Sequence, residues 1–216
     1  MQPGGHRAIV RIAAERTGGE ALVRLDDLLR GNDDEDVHVV PLLGLRLQAV
    51  GLTHTHRPGG TRGELFAPSA RTCCERWARR AREAPSPERR AYFLGRACHL
   101  LVDIAVPARS RGVWHFYGDP LESWVDHHPE AIAAFPLAPI PETRDPGQLC
   151  ESLAALSSAF PADTTRSTWG SLRMRLTGQG TIVGEEEAGA QAKVLVPAAI
   201  AHVAALLAGG LGAPAR

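Results

Sequence analysis

Apolar residues recur at helical spacing over most of the chain, and a sustained alternation of apolar and polar positions occurs nowhere. In residues 6–16, Ile9, Val10, Ile12 and Ala13 share one face and predict an opening helix. After Thr17-Gly18-Gly19 the stretch EALVRLDDLLRG repeats the pattern, with Gly31 as its C-terminal stop. The acidic run from Asp33 to Asp36 then suits the N-terminus of a third helix, although Pro41 and Gly44 disturb its regularity. Residues 52–70 read as loop from their Gly and Pro content. ARTCCERWARRAREA predicts a helix stopped by Pro85, and the clearest helix comes next, with Ser86 as N-cap and Pro87 in the first position. Residues 109–130 are irregular with a helix start near Pro120, and residues 136–147 form a proline-rich loop. Residues 148–160 are helical, 161–187 carry no clear pattern, and a final helix covers 188–207. The expected fold is all-α: a single compact multi-helix domain over residues 1–216, with the helix at 87–108 crossing its centre.

Composition narrows the function. At 216 residues and 44% hydrophobic the chain supports a sizeable core. Its formal net charge of zero provides no field to gather nucleic acid by counterion release, which leaves only short single strands bound at a local site. Cys73, Cys74, Cys98 and Cys150 contain no C-x-x-C spacing, so neither a zinc ribbon nor a disulfide framework is indicated. No transmembrane segment is expected: VLVPAAIAHVAALLAGGL is interrupted by Pro197 and His202 and reads as a buried final helix. The N-terminus shows no signal-peptide pattern, so the expectation is a cytoplasmic protein or a sequence that starts near a mature end. Nothing indicates an oligomeric state.

The chemistry concentrates in four separated segments. His99 and Asp103 are four apart on one helix and point the same way. Alone, such a pair is a helix-surface contact worth about 0.2–0.5 kcal/mol. His54 and His56 lie in the Gly/Pro loop, His6 opens the first helix, and Asp33, Asp34, Glu35 and Asp36 cluster together; the plainest reading of that cluster is a solvated acidic turn. Together these residues supply the nitrogen and oxygen ligands that zinc accepts. Two zincs bridged by one carboxylate activate water and clamp a phosphoryl oxygen. Trp77, Trp114 and Trp124 read as core or loop anchors, and His127 and His128 as part of a surface turn.

GRACHLLVDIAVPAR, followed by GDPLESWV, resembles the core signature of the zinc-dependent phospholipase C and single-strand nuclease superfamily, H-x-x-x-D-x-x-x-P-x-H with a later His and acidic residue. GGHRAIVRIAAER resembles its first-helix element, GNDDED places Asp36 five residues after Gly31, and THTHRP resembles its histidine loop through His54 and Pro58. The order fits across residues 1–125. The resemblance implies one ion held by Asp36, His54, His99 and Asp103, and a second sharing Asp103 and adding His6 and the backbone of Met1. Asp36 and Asp103 are then the catalytic carboxylates. A third site would need Arg109, His115 and Glu122, but Arg109 stands where the family has a histidine, and a guanidinium has no lone pair to give. Two zincs rather than three are therefore expected, with Arg109 paired to Glu122 and turned toward a substrate phosphate. The implied activity is metal-dependent phosphodiester hydrolysis by a metal-activated water. The implied substrates are a small phosphodiester, a phospholipid head group or single-stranded nucleic acid, and the implied location is secreted or envelope if the N-terminus is mature. The alternative is a non-catalytic helical binding or structural relative that retains a partial metal site.

Overall fold

A computed structural model describes residues 3–36, 39–42, 45–48, 53–60, 63–64, 67–113, 119–165 and 180–211. The fold is all-α. Helices α1 (Pro3–Thr17), α2 (Gly19–Val23) and α3 (Leu25–Asp36) precede two short antiparallel hairpins, β1 (Val39–Leu42) with β2 (Leu45–Gln48) and β3 (Gly63–Glu64) with β4 (Ala67–Pro68). Then come α4 (Ala70–Arg82), α5 (Pro87–Ile104), α6 (Pro107–Ser110), α7 (Pro120–His127), α8 (Pro129–Ala134), α9 (Pro146–Ser158) and α10 (Glu185–Leu211).

Helix α5 occupies the centre. Ser86 accepts the Arg89 N–H at 3.3 Å and Pro87 sits in the first turn, so the start is fixed as its sequence demands. From Leu94 to Ile104 every residue is buried, because α1, α3, α4, α9 and α10 all pack against it. Its far end is held by Ser157 of α9, whose hydroxyl donates to the Ile104 carbonyl at 2.7 Å. Pro107 then starts a new short helix and brings Arg109 back beside the last turn of α5. Helix α10 is long and apolar enough to cross a bilayer, yet 72% of its most apolar stretch is buried within the protein. The four cysteines are buried free thiols.

Two sequence expectations need correction. Gly31 does not stop a helix: α3 runs through it to Asp36. A Cβ on Gly31 would lie 1.9 Å from the Tyr92 carbonyl oxygen, and one on Gly95 would lie 2.0 Å from the Leu28 carbonyl oxygen. These glycines let α3 and α5 meet backbone to backbone. The acidic run therefore closes α3 instead of opening a third helix, and a hairpin comes after it, in which Pro41 pairs with Arg46. A proline cannot extend a helix interior, and Val39 and Val40 favour strand.

Gly31→Ala and Gly95→Ala should each destabilise the protein by about 1–3 kcal/mol in urea unfolding, because the obstacle is backbone. Gly4→Ala, where nothing lies within 4 Å of the added carbon, should be neutral or stabilising.

Candidate metal centre

Helix α1 delivers His6, α3 delivers Asp36, α5 delivers His99 and Asp103, and the 53–60 loop delivers His54. All but Asp36 are fully buried. His99 Nε2 lies 3.3 Å from Asp36 Oδ1 and 3.4 Å from Asp103 Oδ2, and His6 Nε2 lies 3.5 Å from Asp103 Oδ1. His54 Nδ1 is 2.6 Å from Asp103 Oδ2. The ring of His6 stacks on that of His99 at 4.1 Å, and His54 meets His99 edge-on at 5.2 Å.

These contacts are close, but they leave much of the cluster's hydrogen-bonding capacity unused. Both ring nitrogens of His54, both of His99, Nδ1 of His6 and Oδ2 of Asp103 are buried without a hydrogen-bond partner. A cluster of orphaned polar atoms costs free energy unless something else satisfies it. Four ligands at about 2.0–2.1 Å from a tetrahedral zinc lie roughly 3.3–3.4 Å from one another. The spacing around His99 matches that, so the donor set fits zinc. His6, His99 and Asp103 form one group of three donors, and Asp36, His54 and His99 another. His99 belongs to both groups.

Each carboxylate of the acidic run has its own partner. Asp33 meets Arg7 at 2.5 Å, Asp34 accepts from the Tyr92 hydroxyl at 2.9 Å, and Glu35 is buried against Arg96 at 2.5 Å. Only Asp36 turns to His99. The cluster is thus no simple solvated turn. The Arg96 guanidinium also lies 3.9 Å above the Trp77 ring.

The 53–60 loop sorts its two histidines. His54 faces Asp103, while His56 is buried against Glu151 at 2.8 Å. Asp126 of α7 accepts the Gly5 N–H at 3.0 Å and so fixes the first turn of α1 next to His6. Met1 and His115 lie outside the described residues. His127 and His128 bond to the carbonyls of Ser123 and Trp124, and His202 to that of Ala198.

Arg109 is buried, with its Nη2 3.8 Å from Glu122 Oε1. Burial works against its charge, but Asp103, Glu122, Asp119 and Asp36 more than offset this and hold its pKa above the usual arginine value. Glu122 also belongs to the capping box of α7: Asp119 accepts from the Leu121 N–H, and Glu122 accepts from the Asp119 N–H. Sequence reasoning missed Asp119. Burial and the Glu122 charge push it up to about 7. The string DPLE carried the capping signal, but the burial of Asp119 depends on tertiary packing.

No family model matches the chain, and no curated protein sequence does. Among solved structures, the alpha-toxin of Clostridium absonum superposes with a TM-score of 0.65 at 13% identity, covering 96% of this chain and 63% of the toxin. The alpha-toxin of an avian strain of Clostridium perfringens gives 0.64 at 12%, covering 97% of this chain and 64% of the toxin. The likeness establishes a distant relationship of fold, and this chain spans under two thirds of either toxin.

Without a metal the cluster retains protons. Burial lowers the pKa of His99, but Asp103 and Asp36 outweigh it and bring the group to about 10. His6 falls well below 6.5 through burial and the neighbouring His99 charge. Asp103 sits well below its usual value; burial opposes this, and the His99 and His54 charges drive it. A group with a raised folded pKa stabilises fully below its unfolded value and loses that contribution as pH rises through the folded one. In chelator, His99 should therefore contribute most stability below pH 6.5 and lose it as pH rises toward about 10. Asp103 should lose its contribution as pH falls below its ordinary 3.8. Metal must displace the His99 proton, so zinc affinity should rise over the range in which apo stability falls. Thermal melts across pH, with and without chelator, measure both trends.

Proposed function

We propose that the chain is a zinc-dependent phosphodiester hydrolase. The observation that carries this reading is the convergence of His and Asp ligand atoms from four separate segments, most of them buried and several without a hydrogen-bond partner. Asp36, His54, His99 and Asp103 would hold one ion; His6, with Asp103 shared, would contribute to a second. Zinc held there supplies Lewis-acid polarisation of a phosphoryl oxygen and activation of a water.

The chain's own residues perform the rest. Asp103 meets His6 through Oδ1 and His54 and His99 through Oδ2, so one carboxylate joins both halves of the cluster. Of the cluster's two carboxylates, Asp36 is the one with appreciable exposure. It therefore faces the approach to the cluster, where it would accept a proton from an attacking water. Arg109 holds a permanent positive charge beside Asp103, Asp119 and Glu122. It takes the place of a third cation beside these carboxylates, where its positive charge would also attract a substrate phosphate. The cluster is compatible with a small phosphodiester, a phospholipid head group or a single-stranded nucleic acid end. The ion pair that closes the third site is also what a non-catalytic relative would show, and that is the alternative reading.

Purified protein should contain about two zincs per chain by elemental analysis, and should hydrolyse bis-p-nitrophenyl phosphate in a chelator-sensitive way. His99→Ala should lose metal and turnover together, by more than about a hundredfold in activity. Full metal content in that variant would end the reading, and bound zinc without turnover in the unmodified chain would select the non-catalytic alternative. Arg109→Met should cost about 3–5 kcal/mol in urea unfolding because it strands buried carboxylates. Adding Glu122→Gln should recover part of that loss; a simple sum of the two single effects would show that the pair does not interact.

A further inference from the structure

A second concentration of positive charge lies outside the metal centre. A cleft of about 710 Å³ opens between the 53–60 loop, the turn after α6 and the chain beyond α9, and its walls include Arg57, Ser110, Arg111, Val113, Pro161 and Thr164. Both guanidiniums are exposed, and both are fixed by backbone. Arg57 Nε donates to the Arg111 carbonyl at 3.2 Å. Arg111 Nε and Nη2 both donate to the Ser158 carbonyl, at 3.1 and 2.8 Å. Between them Gly112 adopts φ +67°, and a Cβ there would lie 2.5 Å from Arg57 Nε. Glycine is thus required twice, by the left-handed backbone and by the guanidinium lying against it.

What marks this pair is un-neutralised charge anchored by backbone carbonyls at the mouth of one cleft. Arg7, Arg24, Arg30, Arg71, Arg96 and Arg109 each face a carboxylate. Among the described residues, no carboxylate lies within salt-bridge distance of Arg57 or Arg111, and none lines the cleft. Glu151, which reaches the same loop, is taken up by His56, Arg71 and the Gly59 N–H. An arginine anchored along one edge by a carbonyl keeps its full charge and its outer donors. Two of them, pre-positioned at one opening, match the oxygens of a phosphate.

We propose that this cleft is an anion subsite that binds the phosphate group of a ligand, separately from the metal centre. The two places share their supports: His54 and Arg57 belong to one loop, Arg109 and Arg111 to one turn, and the His56 N–H ties these segments by donating to the Arg109 carbonyl at 3.2 Å. That the subsite serves a phosphodiester substrate rests on the function proposed above. That it binds phosphate does not.

Calorimetric titration of the chelated protein with inorganic phosphate at low ionic strength tests the anion site with the metal centre silent. Saturable binding should appear in the unmodified chain and equally in His99→Ala. Arg57→Gln with Arg111→Gln should weaken it by about tenfold or more, the loss of a charged hydrogen bond or two. Gly112→Ala, which keeps both charges but displaces Arg57, should weaken it as well. Absence of saturable binding, or unchanged affinity in the double arginine variant, overturns the proposal. Sedimentation with vesicles of equal parts phosphatidylglycerol and phosphatidylcholine separates the sources. Binding that depends on the two arginines identifies a lipid head group, and phosphate binding without vesicle binding identifies a soluble ester. Loss of metal in His99→Ala tests the hydrolase reading independently, so the two can fail separately.

Discussion

The approach of α3 to α5 sets the position of everything else. Gly31 and Gly95 leave no room for even one carbon between the backbones, so the two helices are locked in depth and register where they cross. Asp36 stands five residues beyond Gly31, and His99 four beyond Gly95; at about 1.5 Å per residue each is some 6–8 Å from the crossing. A rigid contact that close transmits little error. The 3.3 Å between Asp36 and His99 is a consequence of two glycines more than of any property of the ligands themselves.

That arrangement carries a local cost. The last turn of α3 holds Asp33, Asp34, Glu35 and Asp36, at the end where the helix dipole already disfavours negative charge, and it contains no basic residue. The turn survives because four different donors reach it: Arg7 from α1, and Tyr92, Arg96 and His99 from α5. Three of the partners are structural, and the fourth belongs to the buried His/Asp cluster. Such a conflict between local preference and tertiary context is expected at functional sites.

The sequence made the central helix legible because its cap and its apolar face agree. It also made the His99–Asp103 pair legible, because four-residue spacing has only one meaning on a helix. The choice of Asp36 over Asp34 came from motif order alone; the structure separates them by giving Asp34 to Tyr92. Gly31 was misread because a glycine near a helix end signals a stop as readily as a close crossing. The hairpin at 39–48 was missed because four-residue strands are too short to show alternation. The burial of Asp119, and the un-neutralised charge of Arg57 and Arg111, could not be read at all, since burial and the lack of a counter-ion are properties of three-dimensional neighbours.

The bond from the Gly5 N–H to Asp126 spans 121 residues, and α1 packs most extensively on α10. Helix α1 is therefore held by surfaces made much later. Asp36, His54, His99 and Asp103 come from one shorter span that is complete once α5 has been synthesised. His6 has no such independence: the bond that fixes its turn of helix comes from α7, and its largest supporting surface comes from α10. Assembly of the centre is thus ordered in time by chain topology. The half built on α5 precedes the half built on α1, and the finished cluster reports that synthesis has passed α10.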